Sequence, residues 1–502
     1  MIEDLTSKVK QYWLPFLFGL VSLTWYLLRT GMKPSRDTYP CQQAAKANTV
    51  IWLMAYIAPV LTAPKVGWRR FTLSRAKLTL VLVCLAVGSI VIYSIVATGW
   101  WGQKTDGTDS KSELDGVKFP LLSHDTYTTI SSKVFAVNGT AGNDGGLITL
   151  LNLMGTQGLL FYASNTTGSR QGPDGLIARG DVIIIKVNSQ WAQRGGTNTD
   201  LLKAVIQTIV THPDGWHGEI IVADNGQAQY GSAGIGGSLD WQESNAEDHS
   251  QSVQDVVDGF PEAYRVSTYL WDTITTTRVQ EYSEGDDLDG YIVNATRNIH
   301  TGLIVSYPKF TTKFGTRISF KHGVWDADRG KYDSGCLKVL NLPVLKTHSG
   351  YGVTASVKHY MGVASDKLTK DLGSRTHNAI RQGGMGTQML ETRFPTINIL
   401  DAIWVNCSPL AGPSSSYGQA TRLNVVAAST DPIALDAWAA RHILQEAYRK
   451  KTGDTSATMD PDNDQTSSFG SWLRLSMEEM LRAGRLVNID EKKINVYVTE
   501  HR

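Results

Sequence analysis

Residues 181–187 read DVIIIKV, a continuous β-branched run of the kind that a strand buried on both faces requires. After the pair Gly195–Gly196, Thr199 can cap a helix over residues 200–210, where Leu201, Leu202, Val205, Ile206 and Ile209 form one apolar stripe. Residues 219–223, EIIVA, give the next strand, which ends in Asp224, Asn225 and Gly226. Strand, helix and strand in so short a span predict a βαβ crossover and parallel strands.

The pattern returns downstream. Residues 336–345 (CLKVLNLPVL) predict a strand leading into Lys346, Thr347 and His348, and residues 353–361 a helix. Residues 423–428 (LNVVAA) predict another strand. Asp431–Pro432 after it is a strong helix start, with Asp as cap and Pro at the first helical position. That helix runs over residues 433–450, a final short strand covers 494–498, and an apolar helix covers 147–160. Residues 227–258 and 448–470 are polar and Gly/Ser-rich, so they read as surface loops. The fold class is α/β, a mostly parallel sheet with helices on both faces, preceded by N-terminal transmembrane helices.

Those helices are predicted from two uncharged runs, residues 12–28 and 78–101. About 20 apolar residues span a bilayer. Residues 50–63, interrupted by Pro59, could be re-entrant, interfacial or a short span. The first run reads as a retained anchor and not a signal peptide, because Arg29, Lys33 and Arg36 follow it and no small-residue cleavage site does. The basic stretch 65–77 belongs in the cytoplasm by the positive-inside rule, so residues after about 102 face the exterior of the cytoplasmic membrane, in the cell envelope. The domains expected are a membrane region over 1–101, a linker over 102–131 and an exterior α/β domain over 132–502. Sequons at Asn138, Asn165, Asn294 and Asn406 are compatible with that placement.

Lys and Arg number 48 against 47 Asp and Glu, a net charge of +1. This balance gives no footprint of a nucleic-acid partner. Of the 4 cysteines, Cys336 and Cys407 are placed to form one disulfide or to remain two separate thiols. No cysteine cluster with zinc or iron–sulfur spacing occurs, which argues against an iron–sulfur cofactor.

In an open parallel sheet the ligand crevice lies outside the carboxyl ends of the strands. Lys186 and Asn188, Asp224 and Asn225, and Lys346 and His348 all follow strand-like runs, and Lys358 and His359 lie on the next predicted helix. Lysine with histidine at a strand end suits recognition of a carboxylate or phosphate with proton transfer; a solvated turn is the plain alternative. Lys186 needs an anionic partner if buried, either a ligand or Asp224. The Gly195–Gly196–Thr197 loop before a helix could cradle an anion, although it lacks nucleotide-binding spacing. Asp224 could instead help to hold a divalent cation, the one cofactor the residues suggest. Arg375, His377, Asn378 and Arg381 precede a Gly-rich stretch that could act as a lid or be a polar surface connection. Asp431 reads as a helix cap. Asp436 could reach a site or face solvent, and Asp401 is either paired in the core or in the site.

The stretches IIIKVNSQW (183–191), GTNTDLLKAVI (196–206), LNLPVLKTHSGYGVTASVKHYMG (340–362), RFPTINILDAIW (393–404) and ASTDPIALDAWAA (428–440) resemble the domain-of-unknown-function 362 family. YPCQQAA (39–45) and GSWLRLSMEEM (470–480) look like a membrane-anchored subgroup of it. The resemblance supports the fold and the choice of site. Many relatives carry a ferredoxin-like cysteine module, and this chain lacks one. The function expected is binding or transformation of a small anionic ligand, with Lys346 and His348 as catalytic residues and Lys186, Asn188, Lys358, Asp224, Arg375 and His377 as ligand contacts. The alternative is a non-catalytic envelope scaffold or receptor whose spans dock a membrane-protein partner.

Overall fold

The computed structural model describes residues 132–227 and 237–501, together with the isolated positions 23 and 49. The chain divides into two units, Met1–Thr108 and Asp109–Arg502, and the fold is that of the second. Apart from position 23, the runs 12–28, 50–63 and 78–101 and the linker 102–131 lie outside the described residues. Among the described residues no helix is long and apolar enough to cross a membrane.

The main sheet has ten strands: β1 (Ser132–Asn138), β2 (Val182–Lys186), β3 (Glu219–Asp224), β4 (Val266–Leu270), β5 (Leu337–Asn341), β6 (Val344–His348), β7 (Gly352–Thr354), β8 (Ile397–Asn406), β9 (Thr421–Ser429) and β10 (Ile494–Glu500). Its order is β10-β1-β9-β8-β5-β2-β3-β4, with β6 on β8 and β7 on β6. The block from β8 to β4 is parallel throughout. β9 runs antiparallel to both of its neighbours. The sheet is therefore mixed and mostly parallel.

The β-branched run of β2 works as its sequence implies. Ile183, Ile185 and Val187 pack on one face with α1 (Gly146–Thr156) and α2 (Thr199–Val210). Ile184 points to the other face, which is covered in part by α4 (Gly384–Glu391), α5 (Pro432–Ala439) and α6 (Phe469–Arg482). Alternation along one strand thus feeds two cores. The cap of α2 is Asn198, not Thr199: the Asn198 side chain accepts the Leu201 N–H at 3.1 Å.

The predicted strand over 336–345 is two strands. Pro343 has no N–H to give a ladder, and pairing breaks there. β5 and β6 then lie in succession along the long β8, matched at Leu340↔Ile397 and Val344↔Asp401. The predicted helix over 353–361 shrinks to α3 (Ser356–His359) plus one 3-10 turn, because Gly352–Thr354 pairs back on β6 as β7. A five-stranded antiparallel sheet within residues 290–333 was not visible in the sequence; its Tyr291, Tyr307, Phe310 and Phe320 join the α4–α6 core. Part of the expected loop 227–258 is a helix, Val253–Asp258, with a capping box from Ser252 and Asp255.

The Gly-rich stretch after Arg381 is not a hinged lid. A Cβ on Gly383 would strike Leu475, and one on Gly386 would strike Ser476, so these glycines let α4 pack closely on α6. Cys336 and Cys407 are separate thiols. Asn138 and Asn406 are buried and closed to glycosylation as folded, whereas Asn165 and Asn294 are exposed.

Asp436 settles to a structural place. From α5 its carboxylate accepts the N–H groups of Ser356 at 2.7 Å and Val357 at 2.9 Å, fixing the start of α3. Burial pushes its pKa up to about 7. Replacing it by Ala strands two buried N–H donors, each worth about 1–3 kcal/mol of desolvation. Asp436→Ala is expected to lower unfolding stability by roughly 2 kcal/mol in denaturant titration; an unchanged midpoint would contradict this role.

Candidate functional site

The carboxyl ends of β2, β3 and β6 meet α3 around a cavity of about 50 Å³. Lys186, Asn188, Asp224, Lys346, His348, Lys358 and His377 all line it, with Asn225, Gln227, His359 and Trp191 among the further lining residues. The lysines are buried: Lys186 and Lys346 are 1% exposed and Lys358 7%. Asp224 is the single carboxylate among the described lining residues.

Lys186 and Asp224 form an ion pair at 2.7 Å. The ammonium also donates to the Val187 carbonyl at 3.1 Å. The second Asp224 oxygen accepts from the Ser189 backbone N–H at 2.7 Å and hydroxyl at 3.1 Å. Gly362 lies so close that a Cβ there would run into both Asp224 and the Lys186 ammonium. Burial lowers the Lys186 pKa, and Asp224 opposes the shift.

Lys346 has no carboxylate within salt-bridge reach among the described residues. Its ammonium donates to the Gly195 carbonyl. Burial, and next the charge of Lys358, hold its pKa well below the ordinary lysine range. Lys358 has still less: its ammonium lies 5.0 Å from the centroid of the Tyr351 ring, and among the described residues it has no hydrogen-bond partner. Burial, and then Lys186, bring its pKa down to about 7.

Burial lowers the pKa of each of the three lining histidines. His348 is pushed down to about 2 by burial and by Lys358 and Lys346. Its Nδ1 accepts the Gly350 N–H at 2.9 Å, so the neutral ring carries its proton on Nε2. His359 falls well below the usual imidazole range through burial and the charges of Lys186 and Lys346. It donates from Nδ1 to Asn341 Oδ1 at 2.7 Å. His377 is lowered by burial, with Asp366 opposing at 3.3 Å from its Nδ1.

Some expected contacts are placed elsewhere. Arg375 does not line the cavity; it pairs with Asp366 at 2.7 Å, beside His377. Asp366 was missed in the sequence, where SDKLTKD reads as an ordinary capped helix. The Gly195–Gly196–Thr197 loop is not an N–H cradle, because its N–H groups are used on Ala192, Gln193 and Asn188 carbonyls. What it offers the cavity is the Gly195 carbonyl. Asp401 is in the core, accepting from Asn198, Asn245 and Ile403. Asp431 caps α5 through the Ile433 and Ala434 N–H groups.

A divalent cation would find Asp224 as its one carboxylate among the described lining residues. Asp224 is engaged by Lys186 and Ser189, and the surrounding lysine charges repel a cation. Among the described residues no three His, Cys, Asp or Glu are grouped as metal ligands. What the arrangement can do is hold negative charge. Roughly three to five waters would fill the cavity, at about 10–15 Å³ of such space for each.

Residues 334–441 match the sequence model of a family described as Domain of unknown function (DUF362). The matched stretch contains Lys346, His348, Lys358, His377 and Asp436, and begins after Lys186 and Asp224. No curated protein and no solved structure matches the chain.

Removing one partner of a buried ion pair costs about 3–5 kcal/mol, while replacing both by apolar residues costs far less. Asp224→Asn is therefore expected to destabilise the protein by that order in denaturant titration. The double variant Lys186→Met/Asp224→Leu should recover much of the loss. Additive losses would show that the pair is not coupled.

Proposed function

We propose that this cavity binds a small anion, an oxyanion or a carboxylate, and that the bound ligand is the substrate of an enzyme. The observation that carries the reading is three buried lysines around one small cavity with, among the described residues, a single lining carboxylate, itself paired. Buried ammonium groups without partners are costly, and they lose their protons or gain an anion. An ammonium has three donors. Among the described residues Lys346 uses one on Gly195, Lys186 uses two on Asp224 and Val187, and Lys358 uses none. His348 adds a neutral Nε2–H. In this reading Lys346 and His348 recognise the ligand, and His348 acts as a hydrogen-bond donor before any proton transfer, because its Nδ1 is already occupied.

The membrane tether is part of the same proposal, as is the membrane-anchored subgroup. Both rest on the apolar runs 12–28 and 78–101, the basic stretch 65–77 and the YPCQQAA segment. Protease added outside intact cells should degrade residues after about 102 and spare the stretch 65–77. Protection of the whole chain would contradict that placement.

Sulfate tests the site without titrating itself near neutrality. It should raise the melting temperature of the full-length protein, and Lys346→Ala or His348→Ala should remove that effect while leaving a cooperative transition. Two variants stabilised as well as the wild type would contradict the site. The pH dependence has a definite sign. A lysine whose folded pKa lies near 7 must regain its proton to meet the anion, so affinity should fall by up to about tenfold per pH unit above that value. In the absence of an anion, Lys358 makes the opposite contribution. Between about 7 and 10.5 the unfolded chain holds a proton that the folded chain sheds, and stability rises with pH. A sulfate affinity independent of pH from 6 to about 9 would exclude Lys358 as a contact.

A further inference from the structure

The three lysines are not equivalent, and the difference points to covalent chemistry. Lys186 is bound to Asp224 and the Val187 carbonyl. Lys346 is bound to the Gly195 carbonyl. Lys358, on the short helix α3, reaches the same cavity with the face of Tyr351 at 5.0 Å and, among the described residues, no hydrogen-bond partner for its nitrogen. An amine becomes a nucleophile when it is desolvated next to other cationic groups, because both effects favour the neutral form that carries the lone pair. Those conditions meet at Lys358: it is buried in the cavity, and the charge of Lys186 acts on it. Its helix is fixed by the carboxylate of Asp436, so the amine is presented on a rigid support.

We propose that Lys358 forms a Schiff base with the carbonyl carbon of a small 2-oxo acid whose carboxylate is held by Lys346 and Lys186. This rests on the anion-binding reading and names its substrate class. The Lys358 lone pair forms the C–N bond while the carbonyl π pair moves to oxygen. That oxygen receives both amine protons by way of the carbinolamine and leaves as water, so the product is an imine and no oxidant or reductant takes part. The His348 Nε2–H is the donor available to the oxygen as its charge develops. The cavity of about 50 Å³ has room for a short acid such as pyruvate or glyoxylate. Carboxylate recognition and carbonyl capture then require no residue beyond the cluster.

The test uses the full-length protein with pyruvate and, separately, glyoxylate. Melting temperature is read first, and then sodium borohydride is added and the peptides are mapped by mass spectrometry. The expected result is a reduced adduct on Lys358, diminished by competing sulfate and lost from that peptide in Lys358→Gln. Mapping the wild-type protein makes the result independent of whether the variant folds. A melting shift with pyruvate or glyoxylate but no adduct on Lys358 would overturn the Schiff base and leave the anion site standing. An adduct on Lys346, Lys186 or surface lysines in place of Lys358 would overturn the assignment in the same way. No shift with pyruvate, glyoxylate or sulfate, and no adduct, would overturn both readings.

Discussion

A buried ammonium group is stable only with a partner for its charge, and this fold brings three of them to one place. Lys186 has Asp224 at 2.7 Å. Lys346 and Lys358 have a carbonyl and an aromatic face. Burial removes the water that would otherwise hold those charges, and the lysines raise one another's cost. The cluster can relieve that cost by shedding protons or by taking in an anion. Lys358 sheds its proton readily, with a pKa brought down to about 7. The same imbalance that weakens the ligand-free site therefore makes it both an anion receptor and a source of neutral amine.

The remainder of the domain serves to place that cluster. Parallel β2 and β3 run in register, Lys186 beside Ala223, so Asp224 falls one step beyond and within reach of the ammonium. The break at Pro343 lets β6 continue past the end of β5 along β8, which carries Lys346 and His348 into the crevice. β7 turns the chain back, and Asp436 starts α3 at the point that delivers Lys358 and His359. Asn341 fixes the His359 ring from below, through a 2.7 Å bond at Nδ1. Each device is a backbone pairing or a buried polar contact.

Much of this was legible in the sequence because two signals are strong. A β-branched run such as 181–187 has few readings other than a doubly buried strand, and polar residues just past such runs mark the crevice of a parallel sheet. Of the eight residues singled out, Lys186, Asn188, Asp224, Lys346, His348, Lys358 and His377 line one cavity. Arg375 does not, because Asp366 claims it. Long-range pairing was out of reach: nothing local in SDKLTKD tells that Asp366 meets Arg375 and His377. The same holds for the antiparallel direction of β9. The glycines after Arg381 left a lid and a surface connection open for a related reason, since a hinge and a close helix contact ask for the same residue.

The central claim is that negative charge belongs in this cavity, and selenate tests it most directly. Crystals of the full-length protein soaked in selenate and measured at the selenium edge would locate the ion by its anomalous signal alone. The account predicts a peak inside the cavity within hydrogen-bonding distance of Lys346 and Lys358. A clear set of peaks elsewhere on the protein, with none in the cavity, would contradict it.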